Sequence, residues 1–176
     1  MENGKLYCLD AKGNANGTTN VYWSYPSEDT TTDPNRTLTE EGPDGIAEDP
    51  IGFDLSSALV QTVQVSPGVF EDLLYIGSKN GRVYCIEMAG RGDGVAGVHY
   101  GTTRRRWSYP NDYPQTAVTS NLGSIVGSVA FRNTASGQTI FVPTQQGRLF
   151  ALDAVGDGIN KTTTVRWAYP TLPSLP

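Results

Sequence analysis

The chain has 176 residues, 38% of them apolar, with 20 Gly, 11 Pro and a formal net charge of −5. That length supports one domain with a real core, and the composition is turn-rich and globular rather than disordered. No stretch is long and apolar enough to cross a bilayer, the first residues lack a signal-peptide pattern, and no basic face beyond Arg104, Arg105 and Arg106 suggests nucleic acid.

Short runs rich in Val, Ile, Tyr, Phe and Trp lie between Gly, Asn and Pro, and long helical spacing is missing, which predicts an all-β protein. Gly4 opens an apolar strand through Tyr7, Cys8 and Leu9 to Asp10 and Ala11, and Trp23, Ser24, Tyr25 and Pro26 follow as a second strand. Residues 27–50 hold eight acids, one base and three prolines, and predict a linker. Without them ten acids face twelve bases, so the acidity belongs to this segment alone. It suits an ordinary insertion or a surface for a basic partner. Residues 56–65 predict an inner strand, and 73–78 and 83–86 a hairpin about Asn80 and Gly81. A long Gly-rich insertion then leads to an outer strand at Trp107, Ser108, Tyr109 and Pro110. The order recurs with an inner strand over 123–131, a hairpin of 139–144 and 149–152 about Gln146 and Gly147, and an outer strand at Trp167, Ala168, Tyr169 and Pro170.

An internal repeat underlies this order. Residues 4–11, 81–88 and 147–154 align, as do 23–26, 107–110 and 167–170. The structural repeat positions are therefore Gly4, Gly81 and Gly147, with Trp23, Trp107 and Trp167, and Tyr25, Tyr109 and Tyr169. Asn80 and Gly81 suit a two-residue hairpin turn, where both positions need positive φ. Runs such as 83–86 and 149–152 are apolar at successive positions, so both faces of their sheets must be covered. Trp and Tyr at i and i+2 face one way, and all three tryptophans are expected to be at least partly buried against a neighbouring sheet.

Cys8, Leu9, Asp10, Ala11, Gly13 and Trp23, and again Ala151, Leu152, Asp153, Ala154, Gly156 and Trp167, resemble the pyrroloquinoline-quinone (PQQ)-like β-propeller repeat. The middle copy departs from it with Glu87 and Met88. The resemblance implies a partial β-propeller of about two and a half four-stranded antiparallel blades. Residues 1–26 would form a partial blade, 27–50 the acidic linker, 51–110 one blade, and 111–176 another with its tail. The separations from Gly13, Gly90 and Gly156 to the next Trp are 10, 17 and 11 residues. These lengthened turns predict that the lock between neighbouring blades of quinoprotein dehydrogenases is missing. The first copy lacks inner strands ahead of Gly4, so the arc is expected not to close on itself, but to belong to a longer protein or to self-associate.

By resemblance the chain is a non-catalytic scaffold, binding or sensor region, periplasmic or extracellular, without a cofactor, whose partner is a protein or attached domains. The alternative is a fragment of a PQQ-dependent dehydrogenase, holding quinone and calcium near the propeller axis. No catalytic, cofactor or metal residue is assigned. Cys8 and Cys85 share one repeat position, too far apart for a disulfide, and suit core packing. His99 has no recognisable metal or triad partner. Arg91, Gly92 and Asp93, and the Gly-rich loops at 13–17, 90–94 and 156–160, suit turn chemistry better than ligand binding. Arg104, Arg105, Arg106 and Arg166 are expected to blunt an outer edge. Asn16, Asn35 and Asn160 head glycosylation-type triplets, a weak signal in loops of this composition.

Overall fold

Alternating β-branched and aromatic residues between glycine turns become strands throughout the part of the chain that a computed structural model describes, residues 6–25, 56–79, 81–90, 101–110 and 122–171. Among these residues there is no helix and there are eleven strands. In chain order they are β1 (Leu6–Leu9), β2 (Val21–Tyr25), β3 (Leu59–Ser66), β4 (Val69–Gly77), β5 (Val83–Glu87), β6 (Gly101–Thr102), β7 (Arg105–Tyr109), β8 (Ala130–Thr134), β9 (Gly137–Pro143), β10 (Leu149–Asp153) and β11 (Val165–Tyr169). They form three sheets ordered β1-β2-β6, β3-β4-β5-β7 and β8-β9-β10-β11, one for each copy of the repeat. The all-β expectation is met. The strand order within the second and third units is the one expected, and Gly4 and the acidic segment lie outside the described residues.

Register confirms the repeat at the level of single residues. Cys8 lies opposite Trp23, Cys85 opposite Trp107 and Ala151 opposite Trp167. A bulge follows that pair in each unit, between Cys8 and Leu9, Cys85 and Ile86, and Ala151 and Leu152. An extra residue on the Trp strand bends it at one recurring place.

Three local expectations are corrected. The hairpin loop about Gly147 has three residues rather than two, because Thr144 N–H donates to the Arg148 carbonyl at 2.9 Å and Gly147 N–H to the Thr144 carbonyl at 3.1 Å. The same bonds join Ser78 to Arg82 and Gly81 to Ser78. Gly147 has φ 74° and Gly81 φ 85°, whereas Gln146 is not left-handed, so only the glycine takes the positive φ of a turn followed by a bulge. Next, the inner strand of the third unit begins at Ala130 instead of 123. Ala130 lies opposite Phe141 as Leu59 lies opposite Tyr75, so both inner strands begin at the same place in the repeat. Residues 122–125 instead tie the hairpin turns together, with Leu122 N–H on the Gly81 carbonyl, Ile125 N–H on the Ser78 carbonyl and Gln145 N–H on the Ser124 carbonyl. Last, the first sheet gains a third strand. The insertion of the second unit supplies β6, which pairs parallel with β2 at Trp23 and Ser24.

The apolar core lies between sheets. One cluster joins Trp23 and Tyr25 of the first unit to Leu74, Ile76, Tyr84 and Ile86 of the second. The other joins Leu73, Tyr75, Val83, Cys85 and Trp107 of the second unit to Ile125, Ile140, Val142, Phe150 and Leu152 of the third, among others. Alternate residues of β4 and β5 thus serve opposite neighbours, as a period of two requires. The middle sheet is covered on both faces.

Both cysteines are free thiols, Cys8 half-buried and Cys85 buried. Burial pushes both thiols up from their ordinary value, Cys85 far more. A thiol reagent at pH 8 is therefore expected to modify Cys8 in the folded protein and Cys85 only through unfolding. The Cys85 rate should fall below that of an exposed thiol by about 10³ or more, the folded-to-unfolded ratio of an ordinary domain. Mass spectrometry of a labelling time course checks this, and equal rates would contradict it.

Candidate functional site: the contact between successive units

The residues that recur most faithfully converge where one unit meets the next. Trp23 Nε1 donates to the Met88 carbonyl at 2.9 Å, and Trp107 Nε1 donates to the Ala154 carbonyl at 3.1 Å. Met88 and Ala154 occupy the same repeat position, just past the third strand of the following unit. Each indole therefore crosses to the same backbone oxygen of its successor. Trp23 and Trp107 are 2% and 0% exposed, so both bonds form away from water, where an unmet N–H would be costly. Tyr75 lies 5.9 Å from Trp107, ring to ring, and its hydroxyl donates to the same Ala154 carbonyl at 3.0 Å. Desolvation holds the Tyr75 phenol far above its usual range, in keeping with a permanent donor.

The socket that receives Trp107 is shaped by a glycine. Gly156 has φ 58°, and a Cβ there would stand 2.3 Å from Trp107 Cδ1. Gly90 and Gly13 hold the same repeat position with φ 64° each. The turn is thus repeated in all three units, and at Gly156 it meets an indole.

Lengthened turns before each Trp do not prevent the contact between units, which Trp23 and Trp107 make across them. A threonine four residues before each Trp ties the end of the insertion to its own unit. Thr19, Thr103 and Thr163 donate their hydroxyls to the carbonyls of Asp10, Glu87 and Asp153, the last at 2.6 Å. Backbone bonds accompany them, with Asp10 N–H on Asn20, Glu87 N–H on Arg104 and Asp153 N–H on Thr164. The Thr-x-x-x-Trp spacing was open to a search for repeats, but in Thr-rich loops a single threonine carries little weight on its own.

The insertions also fasten adjacent units. Besides the pairing of β6 with β2, the third unit's Lys161 carbonyl accepts the Ser108 N–H of β7 at 3.2 Å. Arg106 reaches across as well, with Nε on the Val155 carbonyl at 2.9 Å and Nη1 on Glu71 at 2.9 Å. The expected role of Arg105 and Arg106 as edge charges is corrected, since Arg105 is buried and Arg106 reaches the Val155 carbonyl of the next unit. Arg104 stays exposed, paired with Glu87. Arg166 turns back onto its own unit, to Asp153 and the Ser136 carbonyl.

The tryptophans do not share one fate. Trp167 is 45% exposed and touches Phe141, and Tyr169 is 71% exposed, against 0% for Tyr25. Trp23 and Trp107 are thus buried against a neighbouring unit as expected, whereas Trp167 is half-exposed and covered by Phe141 of its own sheet. The loop at 156–160 is an Asx turn, in which the Asp157 carboxylate accepts from Ile159 N–H, Asn160 N–H and Asn160 Nδ2. Those bonds hold its carboxyl below the usual range. His99, the Arg91-Gly92-Asp93 triplet and Asn35 lie outside the described residues. Among the described residues no three of His, Cys, Asp and Glu converge as a metal group, and no helix is long and apolar enough to cross a membrane. No family model matches the chain, and no curated protein or solved structure matches it.

Proposed function

We propose that the chain is a non-catalytic repeat scaffold, an arc of blades of the PQQ-like β-propeller type, that holds binding loops for a protein partner. One observation carries the reading. The repeat residues Trp23, Trp107 and the turn glycine Gly156 are committed to unit-to-unit contact, in the Trp23–Met88 and Trp107–Ala154 bonds and the socket at Gly156. Such a stack keeps its sheets rigid and leaves the loops to vary, which is how repeat arrays commonly serve recognition.

The catalytic alternative, a portion of a quinone-dependent dehydrogenase, makes a different prediction. Titration of the purified protein with PQQ and calcium, followed by ultraviolet–visible absorption after desalting, is expected to leave no retained quinone. Retention of one quinone per chain, with dye reduction on adding an alcohol, would replace the scaffold reading with an enzyme.

A further inference from the structure

The contact between units has a donor side and an acceptor side, and among the described residues the third and first units each present one of them unused. On the third unit, Trp167 is 45% exposed beside Tyr169 and the half-buried Phe141, and its indole N–H has no acceptor among the described residues. In the second unit the equivalent Trp107 and Tyr75 are buried and both donate to the Ala154 carbonyl. On the first unit, Ala11 stands where Met88 and Ala154 stand in their units, it is exposed, and its carbonyl accepts no bond among the described residues. Leu9 on the same strand is 48% exposed, whereas its equivalents Ile86 and Leu152 are fully buried against the preceding unit.

The acceptor side is already formed. Gly13 has φ 64°, as Gly156 has φ 58°, and the space over it is open except for the Thr18 carbonyl at 3.3 Å. At Gly156 that space is filled by Trp107. The first unit therefore carries a socket in the conformation that elsewhere holds an indole, with no indole in it.

We propose that the outer face of the third unit docks on the outer face of the first unit in a second copy of this chain, head to tail, with Trp167 Nε1 donating to the Ala11 carbonyl. The partner is another copy because the surface wanted is the one the first unit offers. It has the same turn, the same acceptor position and the same aliphatic strand that Trp107 meets within the chain. Arg166, now folded onto its own unit, is placed to swing to the Lys12 carbonyl as Arg106 reaches that of Val155. The contact is heterologous, so each copy uses two different patches, and the assembly either closes or grows. This inference rests on the unit-to-unit contact and not on the scaffold reading, which the quinone titration tests separately.

The test is a complementation in sedimentation velocity. Wild type is expected to show a mass rising with concentration to at least twice the monomer. Trp167→Glu spoils only the donor face and Ala11→Glu only the acceptor face, and both positions are solvent-exposed, so each variant alone should stay monomeric and folded by circular dichroism. Mixed in equal amounts, the two retain one intact donor and one intact acceptor, and should form a pair of twice the monomer mass that grows no further. A variant that failed to fold could not restore the pair. A wild type that stays monomeric at every concentration overturns the proposal. So does a wild type that associates while the mixture does not, since the association would then use another surface.

Discussion

Trp107→Ala is expected to destabilise the protein by about 3–5 kcal/mol, the range for a fully buried Trp truncated in a core. For a chain of this size that lowers the melting temperature by roughly 6–20 °C. Three losses add up. The buried indole leaves a cavity between the second and third sheets, the Ala154 carbonyl loses one of its two donors, and Tyr75 loses its ring neighbour. Trp167→Ala removes the same side chain from the same register position, opposite Ala151, where Trp107 stands opposite Cys85. Its cost should stay within about 1 kcal/mol at a dilution that keeps copies apart, because the side chain is half-exposed. Urea unfolding of both variants in parallel decides the matter. Equal losses would mean that the tryptophans act within their own sheets and not between units.

The second large effect is at the socket. Gly156→Ala is expected to cost about 2–4 kcal/mol, from two sources. A left-handed φ costs an L-residue about 1–2 kcal/mol, and the new methyl would lie 2.3 Å from Trp107 Cδ1 and 2.9 Å from the Thr162 backbone oxygen. The indole cannot retreat without breaking its bond to Ala154, and the backbone oxygen is held by the Asp157–Thr162 bridge. Gly13→Ala provides the control, with φ 64° but no indole above it. It should cost only the backbone share, about 1–2 kcal/mol. Chemical denaturation at low protein concentration measures the difference, and an equal cost at the two sites would remove the steric account of the socket.

Much of this protein was determined by its sequence alone. The all-β class, the three units and the order of strands within the second and third follow from apolar runs, glycine turns and two blocks that recur in step. Those signals are local, because each strand and turn is specified by residues adjacent in the chain. The inter-unit contact was only half legible: the Trp positions stand out, whereas the acceptor is a backbone carbonyl, which no residue type announces. Thr19, Thr103 and Thr163 were similarly hidden in loops where threonine is common.

Tertiary structure alone decided what identical residues do. Trp107 and Trp167 share motif, strand and register, yet one is sealed and the other half in water, because burial depends on whether a following unit supplies the other wall. Arg106 and Arg166 differ for the same reason, one bridging forward to Val155 and the other folded back onto Ser136 and Asp153. The third strand of the first sheet was supplied by an insertion some 80 residues away. In each case the deciding atom belongs to a neighbouring sheet or strand, and periodicity along one segment carries no information about it.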